Sequence, residues 1–149
     1  MANHVHFAVE FHQMNDAAKE KLKELYSRIR TDGTYRWFGD IFVDGEELTY
    51  EQSEKYEWTL DHIGPKWCYL EDYDEDGFNG ESAWSAPENG LVKLLEILEE
   101  YDPNIISSIT YEDEMPNFIG AYVYSGSECY DGFEDEYEEL RDRVIAESE

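Results

Sequence analysis

Hydrophobic and polar residues alternate along this chain with periods that predict its elements. Over residues 3–12, Val5, Phe7, Val9 and Phe11 point one way, and His4, His6, Ala8, Glu10 and His12 point the other. A period of two is that of a half-buried strand. Asn15 or Asp16 can cap the helix that follows, whose apolar face is Ala18, Leu22, Leu25 and Ile29, and Asp32-Gly33 ends it. Residues 35–43 read as another strand turning at Asp44-Gly45. Thr49 and Gln52 form a capping box that opens a helix over 50–62, stopped by Gly64-Pro65. Residues 66–70 read as a strand, and 72–80 as a polar hairpin loop leading into a strand that ends at Ser85.

The stretch from 82 to 124 is the most legible. Ser85 stands three residues before Glu88 with Pro87 between them, the spacing of a capping box. Leu91, Leu94, Leu95 and Leu98 then follow one helical face, and Pro103 predicts that the helix stops near Tyr101. Residues 105–112 are rich in β-branched residues, as a strand requires. Met115-Pro116-Asn117 makes a turn, and 118–124 returns as a strand containing Gly120. Residues 125–132 read as irregular, and 134–146 as a last helix with Tyr137, Leu140 and Val144 on its inner side.

Together these elements predict an α+β fold, an antiparallel sheet covered by helices on one face. The nearest simple architecture is a ferredoxin-like sandwich carrying an inserted helix and a C-terminal helix. We expect one domain over 1–149, with an insertion at about 34–63 and an acidic C-terminal helix at about 134–146.

Charge changes the picture most. Residues 1–36 hold six basic and five acidic groups, whereas 37–149 hold five basic and 32 acidic groups, for a net charge of −26. Such a charge often means disorder, but 23 aromatic residues, Trp37, Trp58, Trp67 and Trp84 among them, argue for a packed core. A nucleic-acid backbone needs a basic footprint, which this chain does not offer. No run of about 18 apolar residues predicts a membrane span. The first residues lack the basic and apolar regions of a signal peptide, and Cys68 and Cys129 are too few for a disulfide scaffold, so a cytoplasmic protein with reduced thiols is expected.

Four motifs occur in one order: Gly64-Pro65-Lys66-Trp67, Ala83-Trp84-Ser85-Ala86-Pro87, Tyr111-Glu112-Asp113 and Asn117-Phe118-Ile119-Gly120. Over about 60–124 they resemble the YubB-type family of phage and plasmid proteins of unknown function with a ferredoxin-like domain. The resemblance implies that fold and a mobile-element origin, and carries over no catalytic residue. Ile63-Gly64-Pro65 stands where that family tends to have an Asn-Trp-Gly-Thr type run.

Candidate chemistry is sparse. His4, His6, Glu10 and His12 share a strand face, and two histidines at i and i+2 can bind one zinc or nickel ion. His12, however, lies roughly 20 Å beyond His6 on an extended strand. Asp72, Asp74, Asp76 and Gly77 begin like a calcium loop, but Ala83 occupies the position of its bidentate glutamate, leaving Glu81 as the remaining ligand. Neither set is complete, so no metal or other cofactor is expected. Cys68 sits in an apolar strand, where a thiol is inert. Ser82, Ser85, Ser107 and Ser108 lack a nucleophile-elbow pattern, and no catalytic residue is assigned.

The acidic surface is the remaining signal. Six acids lie in 71–81, and a second acidic run covers 128–142. Dense carboxylates can imitate a nucleic-acid backbone and occupy the groove of a basic protein, with interspersed aromatics as anchors. The expected partner is therefore a basic host protein, met by Asp72, Asp74, Asp76, Glu81, Tyr130, Glu134, Asp135, Glu136 and Tyr137. The alternatives are a small enzyme or metal-binding protein using His4/His6 or the 72–81 loop, and an acidic protein adapted to a high-salt host.

Overall fold

The computed structural model describes residues 3–114 and 119–132. Its elements are β1 (His4–Gln13), α1 (Asp16–Tyr26), β2 (Arg36–Trp37), a 3₁₀ helix (Phe38–Phe42), α2 (Tyr50–Ser53), α3 (Tyr56–His62), β3 (Cys68–Asp74), β4 (Gly77–Ala83), α4 (Glu88–Leu98), β5 (Ile106–Asp113), β6 (Ile119–Ser125) and β7 (Glu128–Gly132). The strands form one antiparallel sheet in the order β2-β3-β4-β1-β5-β6-β7. This mixed α+β architecture keeps β1, β5 and β6 in a single sheet, as the alternation predicts. The sheet is larger than a four-stranded sandwich.

Strand β1 is central because its apolar row belongs to the core. Val5, Phe7 and Val9 are buried, together with Leu22 and Leu25 of α1 and Leu91, Leu94, Leu95 and Leu98 of α4. Each fully buried leucine contributes roughly 1.5–3 kcal/mol relative to exposure. Asn15 caps α1, its Oδ1 accepting from the Ala18 amide at 2.8 Å. A register shift between Phe11 and Gln13 ends the strict alternation, and His12 Nε2 lies 2.7 Å from Ser108 Oγ.

Several expectations are corrected. Ser85 does not cap α4; Pro87 holds that position without a side-chain cap. A serine at 85 would need an amide two or three residues on. Proline 87 has none, and the Glu88 amide is already taken by the Ala86 carbonyl at 2.9 Å. Helix α4 ends at Leu98, one turn earlier than the proline implies.

The expected strand over 35–43 shrinks to Arg36–Trp37. Phe38, Gly39, Asp40, Ile41 and Phe42 are all buried, which a short helical turn achieves and a half-exposed strand cannot. The expected helix over 50–62 is split at Lys55, whose backbone is extended. Its first half keeps the reciprocal Thr49–Gln52 capping box. The 72–80 segment is not a loop. Asp74 Oδ1 accepts from the Asp76 and Gly77 amides at 2.8 and 3.1 Å, which closes a tight turn directly between two strands. Residues 128–132 form β7 rather than irregular chain, paired with β6. The predicted turn at 115–117 and the helix at 134–146 lie outside the described residues.

Gly64 and Gly80 are both positions that require glycine. Gly64 has φ +117° where the chain leaves α3. At Gly80 a side chain would meet the Tyr69 carbonyl at 2.0 Å, beside the register shift between Leu70 and Asp72.

Candidate functional site

Between β4 and α4 the chain makes a turn that throws one side chain outward. Trp84 has φ 68°, the only non-glycine residue with positive φ among the described residues. The Ser85 amide donates to the Ala83 carbonyl at 2.9 Å across it, the bond of a three-residue turn. Two further bonds hold the turn. The Trp84 amide donates to the Asn3 carbonyl at 2.8 Å, and Ser82 Oγ donates to the Ser85 carbonyl at 2.6 Å. Such a backbone costs of order 1–3 kcal/mol and persists only where neighbours over-determine it. The result is a tryptophan left 60% exposed.

Tyr56 and Leu60, one turn apart on α3, are 57% and 54% exposed. With Pro65, Lys66 and Trp84 they line a largely apolar groove of about 450 Å³. Gly64 lines it too, just past Ile63, whose carbonyl accepts from the Gly90 amide at 3.0 Å and so ties the end of α3 to the start of α4. Glu57 lines the same groove, and Lys66 Nζ stands 5.2 Å above the Tyr56 ring. The motifs Gly64-Pro-Lys-Trp and Ala83-Trp-Ser-Ala-Pro, far apart in sequence, therefore meet at one place. On the other side of Tyr56 a second cavity of about 510 Å³ is lined by Trp37, Trp67, Glu54 and Lys55.

The sheet face away from α1 and α4 carries a row of aromatic rings. Trp67 stacks on Tyr69 with centroids 5.7 Å apart, and Tyr69 also touches Tyr35 and Trp37 at 4.7 and 6.3 Å. Next to them the Glu81 side chain, 14% exposed, lies 3.1 Å from His6 Nδ1 and 3.5 Å from His4 Nδ1. The Tyr69 hydroxyl donates to the same carboxylate. Burial, and then this bond, push the Tyr69 phenol well above its ordinary value.

The predicted site residues thus separate. Asp72 and Asp74 on β3 and Asp76 in the turn are exposed, together with Glu71 and Glu75. Glu81 is drawn into the histidine and tyrosine contacts on the sheet. Tyr130 lies on β7, while Glu134, Asp135, Glu136 and Tyr137 lie outside the described residues. His4 and His6 face different oxygens of Glu81. His12 is drawn to Ser108 instead, with Glu10 4.0 Å away. Among the described residues, no group of three or more histidine, cysteine, aspartate or glutamate side chains is placed to hold a metal ion. Cys68 is buried, and desolvation raises its thiol far above the ordinary range. No helix among the described residues is long and apolar enough to cross a membrane.

The Trp84 groove was missed by the sequence reading. The sequence pattern puts Trp84 in a strand ending at Ser85 and among the aromatics of a core, whereas β4 ends at Ala83 and the ring is exposed. Comparison with protein-family models, with curated proteins and with solved structures finds no match for this chain.

Proposed function

We propose that this chain is a non-enzymatic, strongly acidic binding protein of phage or plasmid type that engages a basic host protein in the cytoplasm. In this reading it acts as a nucleic-acid mimic in host takeover or counter-defence. Strands β3-β4-β1-β5, crossed by α1 and α4, are read as a ferredoxin-like nucleus widened by β2 on one edge and β6-β7 on the other. That reading and the four shared motifs support the YubB-type family.

The observation that carries the proposal is Trp84. A strained turn that exposes a large ring has no use in packing, and exposed aromatics in a groove are what interfaces use as anchors. The rim supplies the sign of the partner. Glu57 lines the groove and Asp61 is exposed on the same helix, while the five acids over 71–76, toward the end of the β3–β4 hairpin away from Trp84, add to the field of a chain of net charge −26. Such a field speeds encounter with a basic surface and weakens with salt.

The test is capture from host lysate by the wild-type chain, by Trp84→Ala, and by a variant with Asp72, Asp74 and Asp76 changed to asparagine. A defined basic protein should be retained by the wild type at low salt and released at high salt. Trp84→Ala should lose it, and the asparagine variant should bind with a shallower salt dependence. Retention of the same protein by both variants at wild-type affinity ends the proposal.

A further inference from the structure

The cavity beside the Trp84 groove has a chemistry of its own. Trp37, Trp67 and Tyr56 supply its aromatic lining, and Glu54 supplies a carboxylate. We propose that it binds the guanidinium of an arginine side chain, an assignment that rests on the reading of this protein as an acidic binder of a basic partner.

Tryptophan and tyrosine rings attract cations through their faces, most strongly when water is excluded. A planar guanidinium stacks on such rings and forks onto a carboxylate, which an ammonium cannot do. The chain's own residues already show both contacts. The guanidinium of Arg30 lies 4.6 Å from the Tyr50 ring centroid and forks onto Asp40. At the cavity itself Lys66 Nζ already stands over Tyr56 and Arg30 Nη1 already donates to Glu54 Oε2 at 3.3 Å, so an incoming guanidinium is left Oε1 of Glu54 and the Trp37 and Trp67 rings. The volume of about 510 Å³ lies within the range of small-ligand sites. Trp37 and Trp67 are also braced from behind, since both pack on Tyr69. Rings already fixed lose little freedom when a cation arrives. Lys55, which lines the same cavity and is exposed, opposes the incoming charge and sets how tightly it is held.

The experiment follows the indole N–H signals of the four tryptophans by NMR during titration with N-acetyl-arginine amide. N-acetyl-citrulline amide, neutral and of the same shape, is the control, and N-acetyl-lysine amide tests for the guanidinium. The arginine probe should shift the Trp37 and Trp67 signals saturably, with the citrulline probe weaker by about tenfold. Glu54→Gln should weaken the arginine probe and Lys55→Gln should strengthen it, with the remaining spectrum reporting an intact fold. Equal binding of arginine and citrulline, equal binding of lysine, or shifts confined to Trp84 overturn the assignment. A chain that binds the probe here yet captures no basic protein refutes the proposed function and not the cavity's chemistry. Capture that depends on Trp84 without probe binding refutes the cavity alone.

Discussion

The guanidinium of Arg30 holds the carboxylate of Asp40 by two parallel hydrogen bonds, Nε to Oδ2 and Nη2 to Oδ1, each 3.1 Å long. Asp40 is buried to 1% exposure, and the Arg30 amide adds a third bond to Oδ2 at 3.0 Å. This pair ties the 3₁₀ helix of the insertion to the segment that follows α1. Removing the cation leaves a buried carboxylate with only the amide. Arg30→Leu should therefore cost about 3–5 kcal/mol in urea unfolding. Arg30→Lys should recover part of that loss, because a point charge cannot satisfy both oxygens.

The helix caps give a second, comparative expectation. Thr49→Ala and Asn15→Ala should each cost about 1 kcal/mol, since both side chains accept from first-turn amides. Ser85→Ala should change stability by no more than about 0.5 kcal/mol, because its exposed side chain caps nothing. Leu95→Ala, at a fully buried position of α4, should cost about 2–5 kcal/mol. Thermal or urea melts of the four variants check the ranking.

Alkaline pH should unfold the protein by a defined route. Tyr26, Tyr69, Tyr111 and Tyr124 all have phenols raised above the ordinary value, with burial the largest cause in each. The folded chain holds these protons more tightly than the unfolded chain does. Their stabilisation is complete below about pH 10 and is lost as pH rises above it. Spectrophotometric titration should show these four ionising together with the loss of tertiary structure. Reversible ionisation of all tyrosines in a chain that stays folded would contradict it.

Trp84 should show the opposite relation between stability and binding. Glycine accepts positive φ without strain, so Trp84→Gly should leave stability unchanged or raise it by about 1 kcal/mol. The same substitution should abolish partner capture. A destabilisation of several kcal/mol would mean that the ring is held for packing instead.

Legibility varied with the physics behind each element. Strand β1 and helix α4 could be read because their faces alternate cleanly between core and solvent. The segment 38–42 could not, since Asp40 is buried only by virtue of Arg30, ten residues earlier. Glu81 read as one more acid in a polar loop, while its real neighbours, His4, His6 and Tyr69, come from two other strands. The Trp84 groove is likewise assembled from two motifs about twenty residues apart. No local period reports such a meeting.

The short reach of β2 has a consequence for how copies of this chain meet. Its two residues pair only with Leu70 and Tyr69, so β3 from Glu71 to Asp74 has no outer neighbour among the described residues. An open strand edge is a template for another chain, and natural sheets guard such edges with charge and irregular register. Glu71, Asp72 and Asp74 stand at that edge, and the shift between Leu70 and Asp72 distorts its ladder. The carboxylates thus act as a fence against self-assembly. Protonating them in acid takes the fence down, and edge-to-edge stacking along β3 is the form that acid precipitation of this chain should take.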